Sequence, residues 1–361
     1  MAYHRRCQLT LMALTLLMNG CAPSDKPTTT NAGKPAVPEY IQELDGLTIY
    51  STDIQPADTV EFMKAGIFES NEEVFIKGDT REVAVDEQDR VFIAAGNMSE
   101  GGIYVFQPDG SYLTTIGQRG KVPGEFLSIS SMAIQGDRLF VFDPVQQRFS
   151  VFSISDFSLA REALIKRGEV RKTDTLAYIL RGNKLLTAGD GHLLLSLRNI
   201  TPTREKDVSK ILYYRLSEDG RMTPGRILEL ERFQFYFPET ERDSKGYFRM
   251  PRLMPFSRSS LVTVSDDGLI YTAWTEEFLI KVHDIHGVYQ RAFYYPYEKS
   301  RLSISDTKLG EAEMSLLREN RSKIPGTWPA LYTMEIDDQN RLWVFTVTDN
   351  KMSYKGWVLN P

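Results

Sequence analysis

From about Arg81 onward the chain alternates short apolar runs with tight polar turns. Five stretches share one pattern, at residues 84–93, 133–141, 187–194, 263–271 and 335–343: an apolar strand, a turn of Asp, Asn or Gly, and a strand rich in β-branched or aromatic residues. The turn residues supply left-handed or locally hydrogen-bonded backbone, and the flanks supply strand propensity, so each stretch predicts an inner hairpin. A second hairpin follows at 103–113 around Pro108-Asp109-Gly110, at 210–227 around Glu218-Asp219-Gly220, and at 278–293 around His286-Gly287. Two hairpins make a four-stranded sheet. Self-similarity at a period of roughly 45–50 residues predicts the blades of a β-propeller rather than a sandwich. A blade cannot cover both its faces alone and is stable only between neighbours.

Aligned on Arg90, Arg138, His192, Leu269 and Arg341, the copies lie 48, 54, 77 and 72 residues apart, so the last two intervals hold insertions. One, near 232–258, is aromatic and locally basic. The other, about 297–329, contains an expected helix over 306–320 with Ser305 as its cap and Leu309, Ala312 and Leu316 on one face. Segments around 47–50 and 59–64 read as strands that complete the last blade. The chain stops at Pro361, in what reads as the third strand of the fifth copy, which predicts a propeller incomplete at its C-terminus, with an exposed sheet edge or an open ring.

Composition is compatible with a large buried core, at 42% hydrophobic and 11% aromatic residues. Residues 1–20 read as a signal peptide: His4, Arg5 and Arg6 precede an apolar run from Leu9 to Met18 that is too short to span a membrane. Leu17-Met18-Asn19-Gly20-Cys21 resembles a bacterial lipobox, which makes Cys21 the expected site of lipidation. Residues 21–45 then form a lipidated cysteine and a Pro- and Thr-rich tether, and 46–361 form the propeller. The only other cysteine, Cys7, lies in the leader, so disulfides and cysteine metal sites are excluded from the folded domain. Without Arg5 and Arg6 the net charge of −5 becomes about −7, which argues against nucleic acid as a partner.

A family resemblance enters at Gly117-Gln118-Arg119-Gly120-Lys121-Val122-Pro123-Gly124-Glu125-Phe126, where glycines and proline carry the chain from an outer strand to the next inner strand. Residues 142–152, running from Asp143 to Arg148, look like the aspartate-to-arginine segment of NHL repeats. The chain thus resembles all-β, NHL-type six-bladed β-propeller lipoproteins of Bacteroidota-like bacteria, with about five blades present. The resemblance implies a place in the bacterial cell envelope, lipid-anchored at the outer membrane and facing the periplasm or the surface. It implies no assigned activity.

In a propeller, the outer-to-inner loops share one face with the loops joining second and third strands, and both insertions map there. On that face the candidate binding residues are Arg119, Lys121, Arg232, Phe235, Tyr236, Arg249, Arg252 and Trp274. The aromatic-basic insertion could stack on a sugar, peptide or aromatic ligand, or could simply be an extra strand packed on the ring. The pair His283 and His286 faces opposite sides of a strand, and the acidic turns at 86–87, 266–267 and 337–338 lack the spacing of a calcium loop, so hairpin chemistry accounts for both. No nucleophile elbow, zinc-protease motif or phosphate loop is present. The expectation is a non-enzymatic binding or scaffold protein without cofactor or metal. Its partner would be an envelope protein, peptide or glycan, in addition to the membrane that holds its anchor. The alternative is a metal-dependent hydrolase or lyase with its ion in the central channel.

Overall fold

A computed structural model describes residues 37–359 except 65, 69, 71–73, 75, 77–79, 96–101, 175–176, 178–179, 190, 199–209, 237–251, 304–309 and 349–353. The expected leader, Cys21 and most of the expected tether lie outside the described residues.

The chain folds as an all-β propeller in which five blades are found, each a meander running from the axis outward. Blade one is β2 (Thr80–Val85), β3 (Val91–Ala95), β4 (Ile103–Phe106) and β5 (Tyr112–Ile116). Blade two is β6 (Ser131–Gln135), β7 (Arg138–Asp143), β8 (Arg148–Ser153) and β9 (Leu159–Leu164). Blade three is β10 (Arg181–Thr187), β11 (Leu193–Arg198), β12 (Lys210–Leu216) and β13 (Leu228–Glu231). Blade four is β16 (Ser260–Val264), β17 (Ile270–Trp274), β18 (Leu279–His283) and β19 (Tyr289–Tyr294). Blade five has three described strands, β20 (Leu331–Ile336), β21 (Leu342–Val347) and β22 (Tyr354–Leu359). The outer strand of blade three starts at Leu228, one residue after the expected 210–227 hairpin ends, because the chain first bridges back to Leu216 through Met222.

The hairpin turns show why the same pattern recurs. Asp86 Oδ1 accepts the backbone N–H groups of Gln88 and Arg90, while its Oδ2 accepts Arg90 Nε at 2.6 Å. Asp337 repeats this with Gln339 and Arg341, and its Oδ2 also accepts Trp343 Nε1 at 2.7 Å. Asp89 and Asn340 take the left-handed conformation these turns require, at φ 58 and 57. Asp86 and Asp337 therefore spend their carboxylates within their own hairpins, one oxygen on backbone N–H groups and the other on neighbouring side chains.

Four buried cores lie between consecutive blades. Phe92, Val105 and Ile116 of blade one meet Met132, Leu139 and Val141 of blade two. Phe142 and Phe149 meet Leu195 and Tyr214, Leu194 and Tyr213 meet Ile270, and Tyr271 and Ile280 meet Leu342 and Val344. Among the described residues no such core joins blade five to blade one. The free face of blade one, Val91, Ile93, Tyr104 and Phe106, is covered by Phe68, Val74 and Ile76 of the chain's own N-terminal segment. Phe62 rests on Trp343 of blade five, with ring centroids 5.5 Å apart.

The N-terminal strands differ from expectation. β1 (Leu47–Ile49) does not close the last blade; it pairs parallel with β19 on the open edge of blade four, Leu47 opposite Ala292. Residues 59–64 form no strand. The place of a preceding outer strand is taken further along, near Ile67. The outer-turn glycines Gly220 and Gly287, at φ +82 and +83, lie so close to the end of the preceding blade that an added Cβ would stand 2.2 Å from Leu164 O and 2.0 Å from Ile227 O. The equivalent Gly110 has Ile67 O in that position, at 2.6 Å.

The expected helix over 306–320 is shorter. α3 (Glu311–Glu319), which follows α1 (Glu39–Gln42) and α2 (Val170–Thr173), starts at Gly310, whose N–H donates to Glu313 Oε2 at 2.8 Å. Glycine thus takes the cap expected of Ser305, which lies with Leu309 outside the described residues. Among the helix's described side chains Leu316, one of the residues expected on its inward face, is buried together with Leu317.

Candidate functional site

Because every blade runs outward in the same sense, all outer-to-inner connections leave from one end of the propeller. These connections are residues 117–130, 165–180, 232–259 and 295–330, and the last two are much the longest.

The first connection is held from beneath. Asp143 Oδ2 accepts the N–H groups of Leu127 and Ser128, and its Oδ1 those of Val145 and Gln146. Arg148 is buried; it donates to the carbonyls of Lys121, Val122 and Glu125 and pairs with Glu162 at 2.8 Å. The aspartate-to-arginine segment is therefore a clamp that fixes the loop and leaves Arg119 and Lys121 exposed on its outer side.

The third connection opens as a short ribbon. β14 (Phe235–Tyr236) pairs with β15 (Arg252–Leu253), Phe235 opposite Leu253 and Tyr236 opposite Arg252. The Arg232 guanidinium lies 5.2 Å from the ring centroid of Phe233 and 6.0 Å from that of Phe235. Arg249 lies outside the described residues. The ribbon's far end is anchored by buried Arg258, which donates to Thr327 O at 2.9 Å and pairs with Glu276, as does Lys299. Burial raises the Glu276 pKa, but the hydrogen bonds of Lys299 and Arg258 outweigh it and hold the carboxyl below its ordinary value. Trp274 ends β17 opposite Ser260. The seven described residues of the eight expected therefore fall into two groups, Arg119 with Lys121 between blades one and two, and Arg232, Phe235, Tyr236, Arg252 and Trp274 between blades three and four.

Residues 58–166 match a protein family described as a 6-bladed beta-propeller. No curated protein matches the chain. Among solved structures, an exported protein from Bacteroides fragilis is 15% identical, with 86% of this chain and 79% of that one covered and a TM-score of 0.43. Virginiamycin B lyase from Staphylococcus aureus, in an inactive form with quinupristin, is 10% identical over 79% and 72% of the two chains, with a TM-score of 0.37. Glutaminyl cyclase from Myxococcus xanthus is 11% identical over 78% and 92%, with a TM-score of 0.33. At these scores none of the solved structures carries an argument, and the fold rests on the sheet topology and the family match.

Three arginines that are not among the expected binding residues crowd the same end of blade three. Arg181 and Arg198 are direct cross-strand partners, and Arg167, from the second connection, donates to Ala177 O and to Gln147 Oε1. Burial lowers the pKa of Arg198. It lowers that of Arg167 too, with Arg171 and Arg181 adding repulsion. Burial and the charge of Arg198 bring Arg232 down to about 10. At the axis, Lys184 Nζ lies 3.6 Å from Glu82 Oε1. Burial raises both Glu82 and Glu335, and the charge of Lys184 opposes that rise. Among the described residues no three His, Cys, Asp or Glu side chains gather as a metal site. His283 Nε2 lies 3.2 Å from Thr272 Oγ1, and His286 Nδ1 lies 3.4 Å from an Arg215 nitrogen, so each imidazole has a local partner.

Proposed function

We propose that this chain is a lipid-anchored binding or scaffold protein of the bacterial cell envelope, an NHL-like propeller held through Cys21 and without catalytic activity. The observation that carries this reading is the concentration of long connections at one end of the propeller. Loops fixed by a scaffold are where recognition concentrates, and here buried Arg148 and Arg258 tie their connections down. The acidic chain and the leader support an exported protein that does not bind nucleic acid. The partner class is an envelope protein, peptide or glycan.

The test is affinity capture from detergent-solubilised envelopes with the anchor intact. Recovery of a saturable partner, lost when Cys21→Ser releases the protein from membranes, is the expected result. Recovery of none would overturn the reading.

A further inference from the structure

The arginines of blade three share one side of the sheet. Directly opposed residues of an antiparallel ladder point to the same face, and successive residues alternate. Leu186 and Leu194, opposed in β10 and β11, belong to the core facing blade four. Alternation from Leu194 through Ser196 puts Arg198 on that same side, and its partner Arg181 with it. On β13, Leu230 faces blade four, and so does the alternate position Arg232, which follows the end of the strand. From across the crevice, Ile270 and its alternates Thr272 and Trp274 on β17 face blade three.

The mouth of the crevice between blades three and four thus gathers Arg181, Arg198, Arg232 and Trp274. Their backbones pair in the ladder, but among the described residues neither the Arg181 nor the Arg198 side chain has a hydrogen bond or ion pair. Like charges placed directly opposite each other are destabilising in a ladder, and Arg198 is half-buried, which withholds the water that would screen it. The carboxylates of the neighbouring loop are committed elsewhere, Glu276 to Arg258 and Lys299, and Glu277 to the Tyr40 hydroxyl. Such an arrangement is poised for an external anion.

We propose that this mouth binds an acidic oligosaccharide, with Arg181, Arg198 and Arg232 holding its anionic groups and Trp274 receiving the flat face of a sugar ring. This rests on the binding role proposed above and names its ligand class. Arginine's planar fork matches carboxylate and sulfate oxygens two at a time. Neighbouring strands are ~4.8 Å apart, so Arg181 and Arg198 stand one strand spacing apart, comparable to the advance of a pyranose chain per residue, and Arg232 follows two strands farther out. A large aromatic ring beside the cations suits the apolar C–H face of a sugar better than it suits an acidic peptide backbone.

The experiment is calorimetric titration of the purified chain with four probes: a sulfated heparin-derived tetrasaccharide, a tetragalacturonate, neutral maltotetraose and a hexaglutamate peptide. At least one acidic tetrasaccharide is expected to bind tenfold or more tightly than the neutral one, and whichever is preferred identifies sulfate or carboxylate as the anionic group. The double variant R198Q/R232Q should lose that preference, and the exposed Arg181→Gln should weaken it by a smaller factor while leaving the fold untouched. Equal affinity for acidic and neutral sugars, unchanged binding by Arg181→Gln and by a folded double variant, or hexaglutamate binding as tightly as the sugars would each overturn the proposal. If the double variant still captures the envelope partner, the anion site fails and the binding role stands. If the wild type captures none, the role itself fails.

Discussion

Asp174 shows how single residues hold the connections in place. Its carboxylate accepts hydrogen bonds from Arg226, at 2.9 Å from Nη2, and from the Tyr214 hydroxyl. The Arg226 bond, foremost, holds the Asp174 carboxyl well below its ordinary range, while burial and Asp174 push the Tyr214 hydroxyl up to about 12. A carboxyl depressed in the folded state contributes stability above its unfolded value, near pH ~4, and loses that contribution as pH falls toward the folded value. Urea midpoints measured from pH 6 to pH 2 should therefore fall less steeply for Asp174→Asn than for the wild type. Arg148 makes a sharper case, because its guanidinium is buried against three carbonyls and Glu162. Arg148→Met deprives those carbonyls of its donors and leaves the mostly buried Glu162 carboxylate without its cation, held only by Gly124 N–H and the Ser150 hydroxyl, and should cost about 3–5 kcal/mol in equilibrium unfolding. The shorter, single-pronged Arg148→Lys should recover only part of it. The residue pattern from Asp143 to Arg148 was legible in the sequence; that it clamps a loop was not, because the carbonyls it binds lie over 20 positions away.

At the scale of the element, a β-bulge decides what blade three presents. Counted outward from the turn near Gly191, residues pair in steps from Thr187 opposite Leu193 to Lys184 opposite Ser196, and unbroken counting would then set Gly182 opposite Arg198. The register shifts between Gly182 and Lys184, so Arg181 takes that place instead. The neighbouring blade holds the bulge: Gly182 N–H donates to Gln147 Oε1 at 2.9 Å, Gln147 Nε2 donates back to Gly182 O, and Ser130 Oγ donates to Asn183 O. A Cβ at Gly182 would stand 2.8 Å from a Phe142 ring carbon. Gly182→Ala should cost about 1–3 kcal/mol through overpacking, read as a shift in the denaturation midpoint. Gly287→Ala should cost more, since its new Cβ would meet the Ile227 carbonyl at 2.0 Å and its φ of +83 disfavours any side chain. The helix illustrates the converse limit, because an amphipathic pattern located α3 but its start was set by the Gly310 and Glu313 cap.

For the whole molecule, the N-terminal segment is part of the ring rather than a lead-in to it. Phe68 packs edge-on against Phe106, which is fully buried, whereas Phe62 lies on Trp343 but stays 60% exposed. Phe68→Ala should therefore destabilise blade one by about 2–4 kcal/mol, somewhat below the usual cost of a fully buried phenylalanine, and Phe62→Ala by less than about 1 kcal/mol. Hydrogen exchange should show the difference as faster exchange in β3 and β4 only for Phe68→Ala. What the amino-acid sequence determined by itself was the repeating unit: alternation sets the strands, Asp, Asn and Gly set the turns, and recurrence of both sets the blades, all through forces acting within about a dozen residues. The face on which the long connections emerge also followed, since it depends only on strand order. Tertiary structure alone decided that β1 adds to blade four, that Ile67 stands where a preceding strand would lie, and that Arg181, Arg198, Arg232 and Trp274 converge. Each of these depends on a register slip or an open sheet edge, and either is resolved by packing between blades distant in the chain, which local pattern does not encode.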